Sequence, residues 1–198
     1  DKVEESRINK NQLRELNYAI DESTKCILYS PTWRSDVNSI SFPLSEINDF
    51  NIYTFDQWLK ENNILFLISV HPHTKNLEDF SNCSNIQYIN HNPLMDINQL
   101  LPEMDLLITD YSSIATDYML MNRPIIYVMP DYDYYLYDFG LLEDMRGNLP
   151  GLEAKSMRDL KDHIMHSLKN PHEMQSERKK YLKKYYDVDN FNSCEKIS

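Results

Sequence analysis

The chain has 198 residues, 41% of them hydrophobic and 12% aromatic, which suffices for a buried core. Its formal net charge of −11 argues against a protein that grips nucleic acid over its surface, because such binding neutralises many phosphates with Lys and Arg. No apolar run approaches the roughly 20 residues of a membrane span. The three cysteines lack CxxC or metal-ligand spacing, which predicts free thiols in the reducing cytoplasm.

Apolar patterns along the chain predict helices that alternate with strands. Leu13, Leu16 and Ile20 have helical spacing and predict an amphipathic helix over residues 4–20. We predict strands at 25–30, 64–70, 86–90, 106–110 and 124–129. We predict further helices at 54–63, capped by Thr54, and at 96–105, 113–122, 155–168 and 172–186, with irregular structure at 35–51 and in the tyrosine-rich segment 130–151.

This alternation, without hairpin dipeptides such as Asn-Gly, favours parallel βαβ units. We therefore predict the α/β fold class with a doubly wound, Rossmann-like parallel sheet. A helix or linker over residues 1–24 precedes a main domain over residues 25–198.

Three polar clusters follow predicted strands, at residues 32–34, 71–73 and 110–113. Ligands of open parallel sheets bind beyond the carboxyl ends of the strands, so these clusters are candidates for one site. Taken singly, each has an ordinary structural explanation: a helix N-cap, a partly buried histidine or a solvated arginine. Their coincidence on one rim favours a binding site.

The third cluster, Asp110-Tyr111-Ser112-Ser113, is an elbow between a strand and a helix. A helix N-terminus offers unpaired N–H groups to an anion, and two serine hydroxyls add donors, so the elbow suits a diphosphate. The chain has only three glycines, Gly140, Gly147 and Gly151, so it contains no GxGxxG or Walker loop. Dinucleotide-binding dehydrogenases and P-loop enzymes are therefore excluded.

The segments "ILYSPTWR", "LFLISVHPH", "DLLITDYSSIATDYMLMNRPIIYV" and "DFGLLEDMRGNLPG" occur here in this order. Together they resemble the C-terminal half of the CDP-glycerol glycerophosphotransferase family, the teichoic acid polymerases and their capsule-polymer relatives. The resemblance runs from about Cys26 to the end of the chain, and the Asp-Tyr-Ser-Ser block is its most specific part. It implies the C-terminal half of a GT-B architecture and a transferase that takes CDP-glycerol as its donor.

The resemblance also implies roles for particular residues. His71 would be catalytic, contacting the donor diphosphate and stabilising charge on the transferred phosphoryl group. Ser112 and Ser113 would hold the phosphates, and Asp117 would face the ribose or cytidine. The remaining residues expected to bind the donor are Arg34, Thr32, Pro72, Thr109, Asp110 and Arg146. No metal and no cofactor besides the donor substrate is implied.

Further expectations concern what lies outside this chain, which begins at Asp1 rather than Met. The family's acceptor-side histidine belongs to an N-terminal half, so we expect that half to be missing and the isolated chain to be catalytically incomplete. A lipid-linked polymer would be the acceptor, and absent segments would attach the protein to the inner face of the cell membrane. Nucleic acid is not an expected partner.

Three questions stay open at this point. Ser69-Val70 and Asp189-Asn190 depart from pairs common in the family, so CDP-ribitol or another activated polyol is an alternative donor. A nucleotide-sugar glycosyltransferase or epimerase with the same architecture is an alternative enzyme. A non-catalytic interaction module is the third possibility, if the tyrosines of residues 131–140 form an exposed patch. We favour the view that these tyrosines pack beneath a loop or line a pocket.

Overall fold

A computed structural model describes residues 8–34, 42–71, 73–74, 77–89, 96–141 and 145–184. All six strands of its sheet are parallel, in the order β3-β2-β1-β4-β5-β6. The strands are β1 (Lys25–Ser30), β2 (Ile64–Ile68), β3 (Ile86–Tyr88), β4 (Leu106–Thr109), β5 (Ile125–Tyr127) and β6 (Leu152–Glu153). This is a doubly wound Rossmann order, so the predicted α/β fold class is confirmed.

Helices cover both faces of the sheet. They are α1 (Asn11–Glu15), α2 (Ile52–Glu61), α3 (Ile114–Met119), α4 (Tyr132–Asp138), α5 (Met157–Lys169) and α6 (Gln175–Leu182). Short 3-10 turns occupy Pro43–Glu46, Ile97–Gln99 and Leu101–Glu103. Of the helices in the described ranges, none is both long enough and apolar enough to cross a membrane.

Successive side chains along each strand point to opposite faces of the sheet and pack into two separate hydrophobic cores. In β1, Ile27 and Tyr29 enter the core that also contains Phe55 of α2 and Leu160 of α5. Cys26 and Leu28 point the other way, into the core that contains residues of α1, α3 and α6. Burial on both faces explains why β1, β2 and β4 are almost uninterrupted apolar runs.

The register of the sheet brings two polar clusters together. β1 and β4 are neighbours, and Ser30 at the end of β1 pairs with Thr109 at the end of β4. The chain leaves both strands at the same level, so the loop after β1 lies beside the elbow after β4. This is the point where the strand order reverses, the usual ligand-binding position in such sheets.

Two predictions of local structure are wrong. The segment 96–105 forms two 3-10 turns rather than one helix, since Pro102 stands within it and the Asp96 side chain accepts from the Asn98 N–H instead of continuing a helix. The cap of α2 is Asn51, whose side chain accepts from the Thr54 N–H at 3.0 Å, and not Thr54.

Two elements were also missed within or next to segment 130–151. Helix α4 forms there because Tyr132 is buried in the second core, a tertiary contact that outweighs a modest helix propensity. Strand β6 has only two residues and no continuous apolar run. It approaches β5 so closely that a Cβ on Gly151 would stand 2.3 Å from the Ile125 carbonyl oxygen.

The N-terminal segment is tied to the rest of the fold where it is described. Leu13 is fully buried in the second core, and Lys10 pairs with Asp105 at 2.7 Å. The predicted helix over residues 4–20 is wrong beyond Glu15, since only α1 is helical in its described part and Asn17 adopts the left-handed region at φ 64°. The boundary between residues 24 and 25 stays a prediction. Residues 1–7 and the tail from 185 onward lie outside the described residues.

Candidate functional site

A cleft of about 510 Å³ opens at the carboxyl edge of the sheet, over the ends of β1, β2 and β4. Its lining consists of residues 30–33, 69–71, 89, 96–98, 111–114 and 117. We call it the first cleft. All three polar clusters of the sequence contribute to it, so their predicted meeting on one rim holds for the residues that are described.

The elbow supplies hydroxyl groups to this cleft. Ser113 is exposed and Ser112 half-buried, and both line the cleft. Ser113 occupies the N-cap position of α3, yet its side chain does not cap the helix. Because α3 has only six residues, its dipole is weak, and the hydroxyls are the stronger contribution to an anion site.

His71 lies across the cleft in an aromatic cluster. Its ring stacks on Trp33 at a centroid distance of 5.2 Å, and His73 lies at 5.2 Å on the same cluster. The His73 backbone N–H donates to His71 Nδ1 at 3.2 Å. An Nδ1 that accepts a hydrogen bond places the hydrogen of the neutral ring on Nε2, which leaves Nε2 as a donor for a ligand.

Beneath the elbow lies a buried network around Arg34, whose side chain is 2% exposed. Its Nη2 lies 2.9 Å from Asp110 Oδ2, and its Nε lies 2.8 Å from Asp131 Oδ2. Asp110 Oδ1 accepts from both the N–H and the hydroxyl of Thr32, each at 2.7 Å. Thr109 is fully buried and donates to the Ser30 carbonyl oxygen at 2.6 Å.

This burial changes the titration of the network. Burial opposes the charge on Arg34, but the hydrogen bonds and charges of Asp131 and Asp110 outweigh it and raise the arginine pKa. Burial, followed by the same two carboxylates, raises the pKa of Tyr111 well above its ordinary value. Arg34 is therefore permanently charged, and Tyr111 stays a hydrogen-bond donor.

A second cleft, of about 750 Å³, lies along the same edge over β5 and β6. Arg146 lines this cleft and is absent from the lining of the first. Its guanidinium lies 4.3 Å from the centroid of the Tyr132 ring and pairs with Asp133, which is largely exposed. The second cleft is lined by residues 46–48, 129–134, 146–147 and 153–155.

The predicted catalytic and donor-binding residues that the structure describes thus fall into three groups. Thr32, His71, Ser112, Ser113 and Asp117 line the first cleft. Arg34, Thr109 and Asp110 lie beneath it, and Arg146 lies in the second cleft. Pro72 lies outside the described residues. The roles assigned to all of these residues stay predictions.

Sequence reasoning missed two residues of the site, Tyr111 and Asp131. Tyr111 lines the first cleft and donates from its hydroxyl to Asp131 Oδ1 at 3.2 Å. It stands inside the Asp-Tyr-Ser-Ser block, so its position already signalled a site. Asp131 follows β5, as the three predicted clusters follow their strands, and the same rule applied to β5 would have found it.

The tyrosine-rich segment divides between packing and exposure. Tyr132 is buried, and Tyr135 stacks on Tyr111 at a centroid distance of 3.9 Å. Tyr137 is 89% exposed, and Tyr134 is partly so. The expectation that these tyrosines pack beneath a loop or line a pocket holds for Tyr132 and Tyr135 but not for Tyr137.

No group of three His, Cys, Asp or Glu residues within the described ranges is placed to hold a metal ion.

A family model described as CDP-Glycerol:Poly(glycerophosphate) glycerophosphotransferase matches residues 1–198. The teichoic acid glycerol-phosphate primase of Bacillus spizizenii is 30% identical over 183 residues, covering 91% of this chain and 44% of that protein. The teichoic acid ribitol-phosphate polymerase TarL of Staphylococcus aureus is 26% identical over 179 residues, covering 90% of this chain and 31% of that protein.

Among solved structures, a variant of the wall teichoic acid polymerase TagF superimposes with a TM-score of 0.65 at 25% identity. The match covers 94% of this chain and 45% of that chain. The chain therefore spans less than half the length of each of these relatives.

Proposed function

The chain belongs to the CDP-Glycerol:Poly(glycerophosphate) glycerophosphotransferase family, and from this premise we propose that its first cleft binds the diphosphate of a CDP-linked polyol. The binding would serve polyol-phosphate transfer in teichoic acid or capsule polymer synthesis. The observation that carries the proposal is the meeting of His71, Ser112 and Ser113 in one cleft at the switch point of the sheet.

The chemistry of the cleft supports a diphosphate. The Ser112 and Ser113 hydroxyls and His71 Nε2 are compact donors, and hydrogen bonds to ionised oxygens are about twice as strong as neutral ones. The cytidine would extend along the remaining lining toward residues 96–98 and 117. In this arrangement Asp117 can accept hydrogen bonds from ribose hydroxyls, the role that the family resemblance suggests.

The reaction follows from the donor. An acceptor hydroxyl attacks the phosphorus that carries the polyol, the new oxygen–phosphorus bond forms, and the bond to the second phosphate breaks to release CMP. His71 would stabilise the charge that develops on the phosphate oxygens. The hydroxyl proton would pass to a base in the N-terminal half of the full-length enzyme, so this chain alone would bind the donor without turnover.

Relatives differ in the polyol that their names specify. The names include both glycerol-phosphate and ribitol-phosphate polymerases, and one TagF structure was obtained after soaking with CDPG. We infer a donor of the CDP-polyol class, with CDP-glycerol first and CDP-ribitol second. The acceptor would be a lipid-linked polymer at the inner face of the cell membrane, reached through segments outside this chain.

Calorimetric titration tests the proposal. The chain is titrated with CDP-glycerol, CDP-ribitol, CDP, UDP and a UDP-sugar, and we expect the cytidine compounds to bind and the uridine compounds to bind at least tenfold more weakly. Tight binding of the UDP-sugar with no response to CDP would contradict the proposal and favour a nucleotide-sugar enzyme.

A double variant, Ser112→Ala with Ser113→Ala, locates the site. Loss of two hydrogen bonds to an ionised group costs about 3 kcal/mol or more, so we expect CDP affinity to fall at least about 100-fold. Ser176→Ala, near the start of α6 and outside the first cleft, is the matched control and should bind CDP as the wild type does. Unchanged affinity in the folded double variant would contradict the assignment.

A further inference from the structure

Asp131 joins loops that follow three different strands. Arg34, in the loop after β1, donates from Nε to Asp131 Oδ2 at 2.8 Å and from Nη2 to Oδ1 at 3.0 Å. Tyr111, two residues after the end of β4, donates its hydroxyl to Oδ1 at 3.2 Å. Asp131 itself follows β5. A single carboxylate therefore fixes the separation of these loops at the carboxyl edge of the sheet.

Asp131 does not line the first cleft, although its partner Tyr111 does. The Asp131 side chain is 9% exposed, and what it exposes faces the second cleft. Tyr111 immediately precedes Ser112 within the elbow, so the position of its ring sets the direction in which the backbone continues to Ser112 and Ser113. Any effect of Asp131 on a ligand in the first cleft must therefore pass through other residues.

The aromatic contacts reinforce this arrangement. The Tyr111 ring stacks on Tyr135 of α4 with 17° between the ring planes, and the Arg34 guanidinium carbon lies 5.7 Å from both ring centroids. Asp131 is the residue at the start of α4. The same short helix thus presents both the carboxylate that holds the Tyr111 hydroxyl and the ring that holds its face.

We propose that Asp131 is a positioning residue for the donor site, holding Tyr111 and Arg34 so that Ser112 and Ser113 present their hydroxyls to the diphosphate. The proposal rests on the proposed function of the first cleft. Asp131 does not line the first cleft, and it acts on Ser112 and Ser113 through the geometry of its two partners.

A positioning role and a simple charge effect of Asp131 predict opposite changes in CDP affinity. Arg34 brings one positive charge to the network, and Asp110 and Asp131 bring two negative ones. Removing the charge of Asp131 therefore removes repulsion toward an anionic ligand, and by charge alone CDP should bind more tightly. Loss of positioning has the opposite sign, because Arg34 and Tyr111 both lose their charged acceptor.

Asp131→Asn is the test variant, since it keeps the shape of the side chain and removes the charge. We expect it to bind CDP about tenfold more weakly than the wild type, at a temperature at which both remain folded. Asp138→Asn, the exposed last residue of α4, removes the same charge from the same helix and should bind within about twofold of the wild type. Equal or tighter binding by Asp131→Asn would overturn the proposal.

A double-mutant cycle measures the coupling between two substitutions in their effect on CDP affinity, and a general loss of stability would not produce such coupling. Tyr111→Phe keeps the ring stack and removes only the hydroxyl donor to Asp131. If Asp131 acts through Tyr111, the combined variant should weaken CDP binding by clearly less than the product of the two single effects. Fully multiplicative effects would contradict that route. If Asp131→Asn fails to fold, Tyr111→Phe alone should still weaken CDP binding.

Hydrogen exchange separates failure of this inference from failure of the proposed function. If the wild type binds no CDP, the proposed function fails, and exchange of the amides of residues 110–117 then decides the positioning claim. We expect faster exchange there in Asp131→Asn and wild-type exchange in Asp138→Asn. Identical exchange in both variants would overturn the positioning claim, whatever ligand the cleft binds.

Discussion

The two clefts on the carboxyl edge of the sheet use their charges differently. Beside the first cleft, the charge of Arg34 is buried and matched by two carboxylates, while the lining offers Ser112, Ser113 and His71 as donors. In the second cleft, Arg146 is exposed and paired with Asp133. An arginine near a cleft therefore does not by itself mark a phosphate site. The deciding feature is whether the guanidinium pairs with buried carboxylates beneath the cleft or is placed to contact a ligand in it.

The largest expected effect comes from removing the buried cation. Arg34→Met leaves Asp110 and Asp131 in the interior without a counter-charge, which costs about 3–5 kcal/mol of folding free energy. Arg146→Met breaks a surface pair and should destabilise the fold much less. Urea unfolding of the two variants measures the difference. Equal destabilisation would mean that the Arg34 network does not support the fold.

The next effect concerns ligand binding in the two clefts. His71→Ala removes a donor from the first cleft and should weaken CDP binding about tenfold, the value of one hydrogen bond to an ionised group. Lys155→Ala removes a cation from the second cleft and should change CDP affinity by less than about twofold. Calorimetry on both variants checks the ranking. A larger loss of CDP affinity in Lys155→Ala than in His71→Ala would indicate that the donor binds in the second cleft.

A further effect on stability is expected at alkaline pH. Burial raises the pKa of Tyr88 from 10.0 to about 12, and burial raises the pKa of Tyr29, Tyr111 and Tyr127 as well. Above pH 10 the unfolded chain loses tyrosine protons that the folded chain keeps, so the tyrosine contribution to stability should be fully present below about pH 10 and fall between pH 10 and 12. Urea midpoints across this range measure the fall. A constant midpoint up to pH 12 would contradict it.

The smallest effect concerns the cysteines and should leave both clefts unchanged. Burial raises the pKa of Cys26 to about 11, and burial also raises the pKa of Cys83, which is partly exposed. In a Cys194→Ser background, a thiol reagent should label Cys83 first and reach Cys26 only on unfolding. Mass spectrometry after labelling distinguishes them. Rapid labelling of Cys26 in the folded chain would contradict its burial.

The sequence predicts the sheet well because its signals are local. Strand β2 is an apolar run that can be recognised without knowing its neighbours, and the polar residues after β1 and β4 mark the binding edge. The Asp131 contacts could not be predicted in the same way. Arg34 and Asp131 are separated by 97 positions, and they meet only because β1, β4 and β5 are consecutive in the sheet.

The placement of Arg146 shows the same limit. Its motif suggested a cation near the donor. The order of motifs along the chain, however, does not determine over which strand each loop lies in the folded sheet. Helix α4 was missed because aromatic residues have modest helix propensity, and the contacts of Tyr132 and Tyr135 that stabilise it come from distant parts of the chain.

An amide NMR titration of the chain with CDP tests the central claim most directly, since it reports on both clefts in one experiment. We expect the largest shift changes at the amides of Trp33, His71, Ser112 and Ser113, and much smaller changes at those of Asp133, Arg146 and Lys155. Shift changes concentrated at the second cleft, with the elbow unaffected, would contradict the claim that the first cleft holds the donor diphosphate.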